Sequence, residues 1–141
     1  MGCNNLEIIY VEDGCEADLL WLLTCTSTMI CPSSKTMAGN VRVWDLRSCK
    51  TVVIPDGTEI IGNYWFYGSG IESVEIPAYV KEIGTETFYN CKNLKRTIFT
   101  GGNLLEKIGA ECFCNSGLEE LTLPGTLREI GNSAFSECDD L

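Results

Sequence analysis

Histidine is absent from the 141 residues, which removes the commonest general base and the commonest metal ligand. Cations are scarce as well: 10 Lys and Arg stand against 20 Asp and Glu, a formal net charge of −10. A chain of that sign is a poor binder of nucleic acid or of an anionic membrane, because phosphate contacts need clustered Lys and Arg. The N-terminus has no basic stretch followed by an apolar run, so no secretory signal is read there. Met1-Gly2-Cys3 opens like an acylation signal, but Leu6 stands where that pattern wants Ser or Thr. The uncharged run Leu19–Ser34 contains Ser, Thr and Pro and falls short of the ~18–20 apolar residues of a membrane span. Gly101-Gly102 lacks the lysine pattern of a phosphate-binding loop. With neither signal nor span, the cytoplasm is the default compartment.

What remains is the composition of one folded domain, 45% hydrophobic and 21% charged. Nine cysteines are many for such a chain. The close pairs, Cys112-Phe113-Cys114 and Cys25…Cys31, have the wrong spacing for the Cys-x₂₋₄-Cys pairs of a zinc site. A nucleophilic cysteine would need an adjacent base, and histidine is missing. Several cysteines recur at one repeat position, which favours burial as small apolar groups. Cys3, Cys91 and Cys138 are expected to be reduced and buried, with Cys114 more accessible. No cofactor, metal or catalytic residue is assigned, and the chain is read as a non-enzyme.

The strongest signal is an internal repeat. From Cys49 the chain divides into units of 22, 23, 24 and 23 residues, opening at Cys49, Ile71, Leu94 and Leu118, with Leu141 opening a fifth. Three and five residues into these units stand Val52 and Ile54, Val74 and Ile76, Leu121 and Leu123. That alternation is one face of a strand. Pro55, Pro77 and Pro124 then remove a donor and end it. A second apolar step, such as Val80 and Ile83 or Leu105 and Ile108, leads to Gly62, Gly84, Gly109 and Gly131, read as turn glycines. Four residues after each glycine stands Phe66, Phe88, Phe113 or Phe135. One coil cannot bury these groups alone, whereas stacked coils bury them as a continuous core. The third unit puts Thr97-Ile98 in the strand and Thr100-Gly101-Gly102-Asn103 in place of the proline turn, so a bulged or looped coil is expected there. Glu59, Lys81, Glu106 and Arg128 share one column and Ile60, Glu82, Lys107 and Glu129 the next. Their alternating signs support the stacking order, each exposed pair contributing only ~0.2–1 kcal/mol.

The motif LxxLxLPxxLxEIGxxAFxxC, clearest at Leu118–Cys138, resembles the BspA-like (Treponema pallidum type) leucine-rich repeat family. The resemblance covers roughly residues 49–141 and returns at residues 3–11, where Cys3-Asn4-Asn5-Leu6 matches Cys91-Lys92-Asn93-Leu94. It implies a β-rich, leucine-rich-repeat-like solenoid, a right-handed coil with a short parallel strand per 22–24-residue repeat. It also implies a surface-antigen or adhesin-like role at a cell surface, and it carries no catalytic residues.

Residues 1–14 read as a partial repeat, 15–40 as a non-repeat insertion with a short helix at Ala17–Cys25, and 41–141 as the array. Both ends fall at one repeat phase, Cys3-x-x-Leu6 and Cys138-x-x-Leu141, which makes end-to-end self-association a candidate. A non-catalytic protein-binding module is the expected function, since a solenoid offers a long ordered face. The alternative is a purely structural segment of a larger array. By alternation, the strand positions facing away from the core are Ile8, Tyr10, Thr51, Val53, Ser73, Glu75, Arg96, Ile98, Glu120 and Thr122. These are the candidate partner-binding residues, and the partner is expected to be a protein.

Overall fold

A computed structural model describes residues 50–54 and 56–141, together with the backbones of three earlier strands. Those three are β1 (Leu6–Tyr10), β2 (Thr26–Ile30) and β3 (Thr36–Met37). Then follow β4 (Thr51–Val53), β5 (Ile60–Ile61), β6 (Ser73–Ile76) and β7 (Glu82–Ile83). The last four are β8 (Arg96–Phe99), β9 (Lys107–Ile108), β10 (Glu120–Leu121) and β11 (Glu129–Ile130). All pairings are parallel, in two sheets ordered β1-β2-β4-β6-β8-β10 and β3-β5-β7-β9-β11. The chain is a parallel β-solenoid. The expected strand of each coil forms the first sheet, with Val52, Val74, Thr97 and Leu121 in one row. A second strand, two residues long, forms at each Ile-Gly step and builds the other sheet. Two residues are too few to show a period, so this strand left no trace in the alternation.

The segment read as an insertion contributes to both sheets. β2 lies between β1 and β4, and β3 pairs with β5. The register Thr28↔Thr51, Met29↔Val52 and Met37↔Ile61 carries the repeat spacing back through this region. The expected helix at 17–25 and Cys3, Cys25 and Cys31 lie outside the described residues.

The repeat columns are the core. Ile71, Leu94 and Leu118, Ile61, Ile83 and Ile108, and Phe66, Phe88 and Phe113 are fully buried. The phenylalanines stack face to face from coil to coil, at 5.2, 5.0 and 5.4 Å between Phe66, Phe88, Phe113 and Phe135, within the range for favourable aromatic pairs. In the coil of β10 and β11, Leu123, Leu127 and Phe135 are partly buried and Ile130 is 49% exposed.

The corner carrying the phenylalanines is a backbone ladder. Glu86, Phe88 and Asn90 donate their N–H groups to Ala110, Cys112 and Cys114 at 2.8–2.9 Å, and Glu111, Phe113 and Asn115 donate to the next coil in the same way. Two residues of each corner are left-handed, Tyr64, Glu86, Glu111 and Ser133 in one column and Gly68, Asn90, Asn115 and Glu137 in the other. Gly and Asn tolerate that conformation best. The two asparagines also join side to side, Asn115 Nδ2 donating to Asn90 Oδ1 at 3.0 Å.

The glycine column has a different cause from the one expected. Gly84, Gly109 and Gly131 do not have left-handed φ. A Cβ on Gly109 would lie 2.5 Å from Gly84 C and Thr85 N, and one on Gly84 would lie 2.7 Å from Asn63 N. The requirement is close approach between the backbones of successive coils. In the third unit, Thr100 replaces the proline and its N–H donates to Ile76 O at 3.2 Å, so coil-to-coil bonding continues one step further before the chain loops through 101–103.

Candidate strand-face docking surface

On the first sheet the register aligns two rows, exposed or half-buried where their side chains are described, on β6, β8 and β10. One runs Ile8, Thr28, Thr51, Ser73, Arg96, Glu120 and the other Tyr10, Ile30, Val53, Glu75, Ile98. Every residue selected by alternation from 8 to 120 falls in these rows, and Thr122 follows directly after β10 and is exposed. Thr28 and Ile30 complete the rows and were missed, because β2 lies in the segment read as an insertion. Their signal was the 23-residue step from Thr28-Met29-Ile30 to Thr51-Val52-Val53. The side chains of Ile8, Tyr10, Thr51 and Val53 lie outside the described residues. Of the rest, Glu75, Arg96, Ile98, Glu120 and Thr122 are exposed and Ser73 is half-buried. An open groove of about 310 Å³ runs between β8 and β10, lined by Arg96–Phe99 and residues 120–122.

Alternation across the sheet has a physical consequence at Thr97. Its side chain points inward between Val74 and Leu121 and is buried, and its hydroxyl has no hydrogen-bond partner. Ile98, one residue on, is therefore turned outward and is 45% exposed.

Charge is paired on both sides of the solenoid. The expected columns at the Ile-Gly step hold Lys81–Glu59 at 3.1 Å and Lys107 between Glu82 and Glu129 at 3.7 Å each. A second set, not anticipated, edges the strand side: Lys50–Glu72 at 3.2 Å, Lys95–Glu119 at 2.7 Å and Arg96–Glu120 at 3.8 Å. The Lys95 ammonium is held above its ordinary value, first by the hydrogen bond to Glu119. The strand face is thus less distinct in charge from the Ile-Gly face than the sequence implied, and its distinction is the apolar side chain it exposes.

The cysteines serve the corner. The Cys91 thiol donates to Phe66 O at 3.0 Å and lies 3.3 Å from Ser69 Oγ, and Cys138 repeats this with Phe113 O and Ser116 at 3.1 and 3.4 Å. Burial pushes the Cys91 thiol up to about 11 and raises Cys112 and Cys114 as well. The four described cysteines are free. Cys114, expected to be accessible, is 6% exposed, while Cys138, expected to be buried, is the more exposed of the two. No helix among the described residues is long and apolar enough to cross a membrane.

Comparison with known families and structures fits this geometry. The model of the BspA type leucine rich repeat region matches residues 30–141, in 6 copies. The crystal structure of the pneumococcal vaccine antigen PcpA is similar at 26% identity and a TM-score of 0.61, over 79% of this chain and 28% of that one. A leucine-rich repeat protein from Bacteroides ovatus is similar at 33% identity and a TM-score of 0.62, over 67% of this chain and 24% of that one. The chain therefore spans about a quarter of the length of either structure. No curated protein matches it.

Proposed function

The chain belongs to the BspA type leucine rich repeat family, and from that premise we propose that it is a non-catalytic protein-binding module whose strand face receives the partner. The observation that carries the reading is the pair of outward rows, in which Arg96, Ile98, Glu75 and Glu120 stand exposed on a continuous sheet. A mixture of Arg, aliphatic and acidic groups suits a protein interface, and a sheet that fixes them beforehand lowers the ordering cost of binding. The similarity to a vaccine antigen supports a role at a cell surface, in line with the adhesin-like expectation.

A photoreactive side chain placed at Ser73 or Thr122, compared with one at Lys107, tests the face. The expected result is a cross-linked partner from the strand positions alone, lost in the Arg96→Glu, Ile98→Asp double variant. Cross-linking from Lys107 that survives the double variant would overturn the assignment. The purely structural alternative draws on the quarter-length coverage of its structural neighbours, and it expects no partner from either face.

A further inference from the structure

Large apolar side chains are exposed at few places among the described residues: Tyr79 (58%), Ile98 (45%), Leu104 (43%), and Ile130 and Leu141 in the last coil. The first three fall in two adjacent coils, around the irregular turn. Tyr79 and Leu104 hold equivalent positions, each directly before a buried residue of the core column, Val80 and Leu105. The coils on either side carry Gly57 and Thr126 there, so the repeat itself does not require an apolar group at this corner. Leu104 N donates to Ala78 O at 2.9 Å, which sets Tyr79 and Leu104 on neighbouring turns.

The corner is ordered. Asn103 Nδ2 donates to Ile76 O and Pro77 O at 3.4 and 3.3 Å, its Oδ1 accepts from Leu105 N at 2.9 Å, and Thr126 Oγ1 donates to Leu105 O at 2.7 Å. These bonds fix the turn that holds Leu104 out to solvent. Ile98 stands two residues before the turn, and its register partner on β6 is Glu75. Glu75 is exposed, and the ion pairs among the described residues all use other carboxylates, Arg96 being taken by Glu120. An uncompensated carboxylate therefore lies beside the apolar group.

Resting on the strand-face reading, we propose that this corner is the anchor of the docking surface and takes a basic peptide segment of a partner protein. Aliphatic or aromatic side chains of the segment cover Tyr79 and Leu104 at the turn and Ile98 on the adjoining strand, and a Lys or Arg beside the last meets Glu75. Burying the apolar groups supplies the affinity. The cation compensates Glu75, and the −10 charge of the chain favours the approach of basic segments over acidic ones.

Selection of short random peptides displayed on phage against the whole protein tests this. The enriched pool is expected to place an aliphatic or aromatic residue next to Lys or Arg. A synthetic peptide from the pool should bind about tenfold more weakly to Tyr79→Thr, Leu104→Thr, which installs the residue the next coil already has. It should bind a few-fold more weakly to Glu75→Gln, a surface change that leaves the fold alone. No enrichment, a pool without cations, or equal binding to the double variant and to Glu75→Gln as to the parent would overturn the proposal. A peptide indifferent to the Tyr79 and Leu104 changes but released by Arg96→Glu, Ile98→Asp would refute the corner and leave the strand face standing. Indifference to both double variants would remove both.

Discussion

Gly109→Ala isolates the force that sets the spacing between coils. The new Cβ would lie 2.5 Å from Gly84 C and Thr85 N and 2.7 Å from Gly84 O, against ~3.5 Å for ordinary contact. Relief requires the two coils to part locally by ~1 Å, in a stack whose ladder spacing is ~4.8 Å. Gly109 N donates to Ile83 O at 2.8 Å across that same gap. A displacement of ~1 Å takes this bond beyond hydrogen-bonding distance, a loss of ~0.5–1.5 kcal/mol. The remaining overpacking adds ~1–3 kcal/mol, and the reduced freedom of the unfolded chain returns ~0.4–1 kcal/mol. The expected net destabilisation is ~0.5–4 kcal/mol, centred near ~2 kcal/mol. Gly125→Ala is the control, since its Cβ would meet nothing within 4 Å and its φ is not left-handed; it should be neutral or stabilising by up to ~1 kcal/mol. Urea unfolding followed by circular dichroism reads both. Equal stabilities for the two variants would refute close approach as the reason for the glycine column.

Phe88→Ala should cost ~3–5 kcal/mol, the usual loss for a buried phenylalanine, and more than Phe135→Ala, whose ring is only partly buried; equal losses would contradict that difference in burial. Thr97→Val replaces a buried hydroxyl that has no partner and should stabilise by ~1 kcal/mol, measured by the same urea assay. In thiol labelling of the native protein near neutral pH, Cys138 should react first of the four described cysteines, with Cys91 and Cys112 slowest. The Cys91 thiol at about 11 lies above its ordinary 9.0, so its contribution to stability is complete below about pH 9 and is lost as pH rises towards 11. Cys91→Ala should therefore flatten the fall in the urea midpoint across that window, and an unchanged slope would count against the buried thiol.

The columns that were legible are those in which one residue type does the same task in every coil. Apolar alternation at Val52/Ile54 and Val74/Ile76 and the phenylalanines at a fixed step from Ile-Gly marked the core, because each must be buried by its neighbour. The outward rows followed from the same alternation, since a side-chain period of two leaves no other place for Glu75, Arg96, Ile98 and Glu120. β2 and β3 escaped because Thr26-Ser27-Thr28 has no leucine to open it and Met37-Ala38 stands where other coils have Ile-Gly. A coil stacked between two well-formed ones can be held by backbone ladder bonds, so its own sequence carries less of the signal. The glycine column was found but misread for a related reason. Gly109 answers to Gly84 and Thr85, one coil away, and no local turn pattern reports on a neighbour at that separation. Binding chemistry is still less local. Tyr79 and Leu104 look like unremarkable turn residues in sequence, and only the Leu104–Ala78 bond sets them on neighbouring turns. In a solenoid the meaning of a residue is fixed by the residue one period away, and a surface is read by asking where a column departs from what stacking demands.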